Sequence, residues 1–343
     1  MTDTANTPSP RADHHPHPQP SAAARASAAQ PPHPAGAAAD FVVGGQDRQL
    51  TEEQQLEALQ WYLGEHYPAP DFTAPWALPG QEGQKENDTQ VAARRAEGDR
   101  WAAHLPDRLT HAAMMQLGAA VDHSLPGTAW TTAVTLEPVE LPGGAATRIS
   151  PATITAPVWT ISLHGGGFWR GGGMAREMNW LPEMAAVAQL SGTEVLDLDY
   201  PLYPEATLLD AVRVVRAAVV YAREHGAEQV VLLGASAGAV LAQACAPHAD
   251  ALLLQRPSQG LTRLPAAFRA GVELPEPRLW PTTLIQEGTR DSRVPPVPDE
   301  WERLPQVTVR RYVADHQIIT PAVARRRAQD AARFIAGVGT TPA

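Results

Sequence analysis

The stretch "VVLLGASAGAVLA", Val230 to Ala242, constrains the fold more than any other part of the chain. An apolar run of strand character meets a run of small residues of helical character across Gly234-Ala235-Ser236-Ala237-Gly238. Small residues on both sides of a central serine let a strand and a helix approach without clashes. The serine then occupies a strained turn with its hydroxyl exposed, the arrangement called a nucleophile elbow. Without that context the pentapeptide fits an ordinary Gly-rich turn equally well.

The surrounding sequence supplies a sheet for the elbow. Strand-like "PVWTISL", "TEVLDLDY", "QVVLLG", "DALLLQ", "TTLIQEG" and "QVTVRRYV" are interleaved with helical "AREMNWLPEMAAVAQL", "ATLLDAVRVVRAAVVYAREHG" and "AGAVLAQACAPHA". A last helix begins at Thr320, with Pro321 at its first position. Continuous apolar strands separated by helices indicate a mostly parallel sheet covered on both faces, an α/β doubly wound domain over residues 127–337. "AWTTAVTLEPVEL" and "TRISPATIT" alternate apolar with polar residues, as half-buried strands do.

Residues 45–126 read as a helical region. "TEEQQLEALQWYLGEHY" has Thr51 as N-cap and ends at Pro68 and Pro70, and two further pieces break around Pro106. Met114 and Met115 are expected to fill its core. Residues 1–40 are rich in Pro, Ala, Ser and His and cannot bury enough apolar surface to fold, so a disordered tail is expected. His14, His15, His17 and His33 are read as part of that tail, and no metal site is implied.

The chain has 27 basic and 37 acidic residues, a net charge of −10 spread along its length, which argues against a nucleic-acid partner. The run Arg325-Arg326-Arg327 is expected to be a solvated helix face. Cys245, the single cysteine, is expected in the core. Neither a membrane span nor a secretory signal is apparent, so a cytoplasmic location is expected.

A serine hydroxyl attacks only when a base accepts its proton and an acid orients that base. Two histidines follow Ser236. His248 closes the next helix, where it would cap or face solvent. His316, in "YVADHQIITP", lies between a strand and the final helix, where the base belongs. Among the acids, Asp291 in "TTLIQEGTRDSRVP" lies just past a strand end and is preferred to Asp299 and Asp315. The serine reaction also needs donors for a developing oxyanion. "HGGGFWRGGG", His164 to Gly173, follows a strand directly, and its backbone can approach a ligand closely. Candidate donors are the amides of Gly165, Gly166 and Ala237. The second triplet, Gly171 to Gly173, is assigned only to turning the loop.

On these motifs, residues 128–337 resemble the hormone-sensitive-lipase-like branch of the α/β-hydrolases, a group of esterases and deacylases. The resemblance implies that Ser236 is nucleophile, Asp291 acid and His316 base, with His164 and Gly167 shaping the oxyanion loop. "DYPLYPE", Asp199 to Glu205, is similar to a segment supporting the active-site loops, and the helical region would match an N-terminal cap. The chain departs from the branch at Ala235, commonly Asp, and at Gln317, commonly Phe. "GTRDSRVP" is closer to prolyl-oligopeptidase-like hydrolases. The short stretch before "TTLIQEG" argues against a large second cap insertion. The expected function is cofactor-free cleavage of a small-molecule, short-acyl ester through an acyl-enzyme, with Phe168 and Trp169 walling the pocket and Trp180 a further candidate. An amidase or peptidase, or a catalytically silent hydrolase-fold binding protein, remain alternatives.

Overall fold

Eight strands form one sheet: β1 (Val134–Leu141), β2 (Gly144–Pro151), β3 (Val158–Leu163), β4 (Glu194–Asp199), β5 (Gln229–Ala235), β6 (Ala251–Gln255), β7 (Thr282–Gly288) and β8 (Val307–Tyr312). The longer helices are α1 (Glu52–His66), α2 (Asp88–Ala103), α3 (Leu105–Gln116), α4 (Leu181–Ser191), α5 (Leu208–Glu224), α6 (Ala237–Ala244) and α7 (Pro321–Val338). This computed structural model describes residues 42–43, 46–47, 50–77, 88–117, 123–126 and 133–339. The tail expected at 1–40 lies outside them. A two-residue antiparallel pair joins Val42–Val43 to Gln46–Asp47, in a unit distinct from the one that begins at Leu50.

The strand order is β8-β7-β6-β5-β3-β4-β2-β1. Strands β3 to β8 are parallel, and the β1–β2 hairpin adds antiparallel to β4. Because strand side chains alternate between faces, each central strand feeds two cores. Ile161, Leu196, Leu232 and Leu254 pack with α5 and α6, and buried Cys245 joins them. Val158, Val195, Val231 and Leu253 pack on the other face with α4 and α7. This two-sided burial is why these strands read as unbroken apolar runs. Strand β1 is different, since Leu136 on this edge strand is 43% exposed.

Local sequence sets the helix starts. Thr207 caps α5 reciprocally with Asp210, and Thr320 caps α7 ahead of Pro321. The helix expected through "AREMNWLPEMAAVAQL" is not regular. Arg176–Trp180 forms a wide π turn in which the Leu181 amide donates to Arg176 O. Pro182 gives the reason: it has no N–H, and its ring would crowd the carbonyl four residues back in a regular α-helix.

Two expectations are corrected. Met114 and Met115 do not fill a core but are 58% and 60% exposed, because Leu105, Leu109, Ala112 and Ala113 are the residues α3 turns inward. The three arginines do not share a solvated face. Arg326 pairs with Glu52 and Arg325 donates to Ser124, whereas Arg327 is buried and accepted by both oxygens of Glu183 at 3.0 Å. Successive helix residues point about 100° apart, so three in a row cannot stay on one side. Helices α1 and α3 pack around Leu59, Tyr62, Leu63 and Leu109. Among the described residues, no helix is long and apolar enough to cross a membrane.

The chain leaves β3 for β4 on one side, then crosses to β5 on the other. Loops at the carboxyl ends of two such strands diverge and open a crevice. Those loops carry the glycine segment and Ser236.

Candidate active site

Strand β5 ends at Ala235 and α6 begins at Ala237, so Ser236 alone makes the turn. Its φ of 53° lies in the left-handed region, which costs a side-chain-bearing residue on the order of 1–3 kcal/mol. The turn is held by the Ser236 amide, which donates to Gln255 O at 2.9 Å. The flanking glycines are required by proximity. A Cβ on Gly234 would lie 2.2 Å from Gly238 O, and one on Gly238 would lie 2.1 Å from Leu163 O.

His316 follows β8, and its Nε2 accepts from Ser236 Oγ at 3.0 Å. With the ring proton on Nδ1, the opposite edge donates to Asp291 Oδ2 at 2.7 Å. Asp291 follows β7 and is held from its other oxygen by the amides of Arg293 at 2.9 Å and Val294 at 3.2 Å. The competing acids are engaged elsewhere. Asp299 pairs with Arg303 at the surface, and Asp315 accepts from Gln60 Nε2 at 2.8 Å and from the His316 amide. His248 is exposed.

Burial is the largest influence on both partners. It drives the His316 pKa below its usual 6.5, against the opposing pull of Asp291, and the charges of Arg256 and Arg293 push the same way as burial. Burial raises Asp291, but the hydrogen bond and charge of His316 and the two amides outweigh it, leaving the carboxyl below 3.8.

The glycine loop folds back on itself beside Ser236. A Cβ on Gly166, whose φ is 121°, would lie 1.9 Å from Arg170 O. Gly171 has a similar reason to lack one, since it would strike Gly165 O and His164 Nδ1. Among the described residues, no acceptor takes the amides of Gly165, Gly166 or Ala237. His164 is 1% exposed and stacks on Tyr200, whose hydroxyl donates to His164 O at 2.7 Å. Burial lowers the His164 pKa to about 4, so its ring stays neutral, with Nδ1 donating to Gly165 O.

A family model described as alpha/beta hydrolase fold matches residues 160–309, the span from β3 through the Ser236 turn and Asp291 into β8. The chain has the α/β-hydrolase fold. Solved structures agree. An esterase from Pyrobaculum calidifontis aligns with a TM-score of 0.53 at 18% identity, covering 75% of this chain and 95% of that one. EstE1, a thermophilic carboxylesterase from a metagenomic library, gives 0.53 at 17%, covering 73% and 98%. Esterase E25 gives 0.54 at 16%, covering 87% and 98%. At such identities the likeness concerns the fold. A comparison with curated proteins found no match.

In this α/β-hydrolase fold a cavity of about 700 Å³ opens over Ser236, His316 and the glycine loop. Phe168 and Trp169 border it but are only 5% and 1% exposed. More of its apolar wall comes from the helical region, through Phe72, Trp76, Leu105 and Leu109. Helix α2 also grips the loop. Arg95 donates to Trp169 O at 2.7 Å, to Tyr203 O and to both oxygens of Glu205, and Asp99 accepts the Gly171 amide at 2.7 Å. Neither Arg95 nor Asp99 stands out in the sequence. Each lies some 70 residues or more from its partners, and no local pattern marks such a pairing.

Proposed function

We propose that the chain is a serine carboxylesterase acting on small-molecule, short-acyl esters. The observation that carries this reading is the hydrogen-bonded line from Ser236 Oγ through His316 to Asp291, at 3.0 and 2.7 Å, beside unengaged backbone amides in one cavity. The esterase titles of the structural neighbours agree with it.

As Ser236 Oγ attacks the ester carbon, His316 Nε2 takes the hydroxyl proton. Asp291 holds the ring in the tautomer that leaves Nε2 free and stabilises the imidazolium that forms. The carbonyl oxygen gains a negative charge, met by the amides of Gly165, Gly166 and Ala237, which need not reorganise during the reaction. Collapse expels the alkoxide, which takes the proton from His316. Water then gives a proton to His316 and attacks the acyl-serine, releasing the carboxylic acid and restoring the hydroxyl. His164, neutral and buried, shapes the loop with Gly167 and transfers no proton. Helices α1 to α3 act as the cap, and Phe168 and Trp169 contribute to the acyl wall.

Turnover of p-nitrophenyl acetate by the wild type and by Ser236→Ala tests this reading. The variant is expected to lose at least about 10⁴-fold in kcat while keeping its circular dichroism spectrum. Equal turnover by both would overturn the assignment. Matched ester and amide substrates test the bond preference, with faster amide cleavage favouring a peptidase. Failure of a fluorophosphonate to label Ser236 would favour a silent binding protein.

A further inference from the structure

The cavity over Ser236 carries a charge that ester cleavage does not require. Five arginines line it, Arg170, Arg256, Arg263, Arg293 and Arg327, against two acids, Asp107 and Glu183. The chain as a whole is acidic, so this reverses the background. Glu183 is committed to Arg327, and Arg256 donates to His316 O. Arg170, Arg256, Arg263 and Arg293 form no ion pair among the described residues.

Arg170 is the most telling of these. It is 9% exposed, its guanidinium makes no hydrogen bond among the described residues, and its Nε is buried without a partner. It rests on the Phe72 ring at 4.0 Å, and Arg293 reaches the same ring at 5.1 Å. Burial lowers the Arg170 pKa to about 10, which leaves it charged at neutral pH. The charge of Asp99 reaches Arg170, but that carboxyl accepts the Gly171 amide and forms no ion pair with the guanidinium. A buried cation without a counter-ion is costly, and a bound anion removes the cost. The charge of Arg293 acts on His316 as well, which places Arg293 within electrostatic reach of that ring.

We propose that Arg170 and Arg293, both set against Phe72, form a carboxylate-binding subsite, and that the substrate is an ester bearing a carboxylate. The inference rests on the esterase reading above. A guanidinium suits the role because its planar fork matches both carboxylate oxygens. It also remains charged where an ammonium would shed its proton.

Two matched pairs test it by pH-stat. 4-Acetoxybenzoate and its methyl ester differ by a charge on the leaving group, and monomethyl adipate and methyl hexanoate differ on the acyl side. In at least one pair the anion is expected to have a kcat/KM at least about ten-fold higher, the size of one charge-assisted hydrogen bond. For the aryl pair this runs against intrinsic reactivity, since the neutral member has the better leaving group. The ratio should fall towards one in Arg170→Gln and in Arg293→Gln, the latter an exposed position that guards against misfolding of the former. Turnover of the neutral esters without anionic preference would overturn the subsite and leave the esterase standing. Titration of Ser236→Ala with both pairs decides the subsite even if no ester is cleaved. Tighter binding of the anion in either pair supports it, and equal binding in both overturns it.

Discussion

At His316 opposing influences meet: burial and two arginine charges favour the neutral ring, and Asp291 favours the charged one. The balance falls below 6.5, so the base is neutral above that pH. The acid limb of kcat/KM is therefore expected to rise with pH through a midpoint below 6.5, as measured on a neutral ester. Asp291→Asn removes the partner that sets the tautomer and is expected to lower kcat by about 10⁴-fold. Gly166→Ala places a methyl where Arg170 O stands and shifts a proposed oxyanion donor, an expected loss of at least about 10²-fold in kcat. The residues now found in hydrogen-bonding line were legible because each sits in a short motif at a strand end. Arg170 was not read as a binding group, because nothing local distinguishes a buried, unpaired arginine from an exposed one.

Among the elements, those with local start signals were the most legible. Thr51, Thr207 and Thr320 each precede a helix and accept from an amide three residues on. Thr207→Ala is expected to lower stability by about 1 kcal/mol, read by urea unfolding, because α5 loses both bonds of the Thr207 hydroxyl, one accepted from the Asp210 amide and one donated to its carboxylate. The π turn before α4 was missed because hydrophobic periodicity does not report how a proline is accommodated. The placement of α2 was missed too, since its contacts with the glycine loop are long-range. Arg95→Ala is expected to lower kcat/KM by an order of magnitude or more on p-nitrophenyl acetate, through displacement of that loop.

Across residues 133–339, one eight-stranded sheet with a core on each face explains why the α/β class could be read from apolar strands alternating with helices. Ile335, fully buried between α7 and the sheet, should cost about 2–5 kcal/mol when cut to Ala, visible as a lower denaturation midpoint. Arg95 and Asp99 belong to the helical region that lines the cavity, and they also hold the loop that carries the proposed oxyanion donors. A guest bulky enough to displace this region would therefore also shift the proposed donors. Along a series of increasingly bulky alcohols, turnover number should fall while KM holds, as the larger esters are accepted but processed slowly.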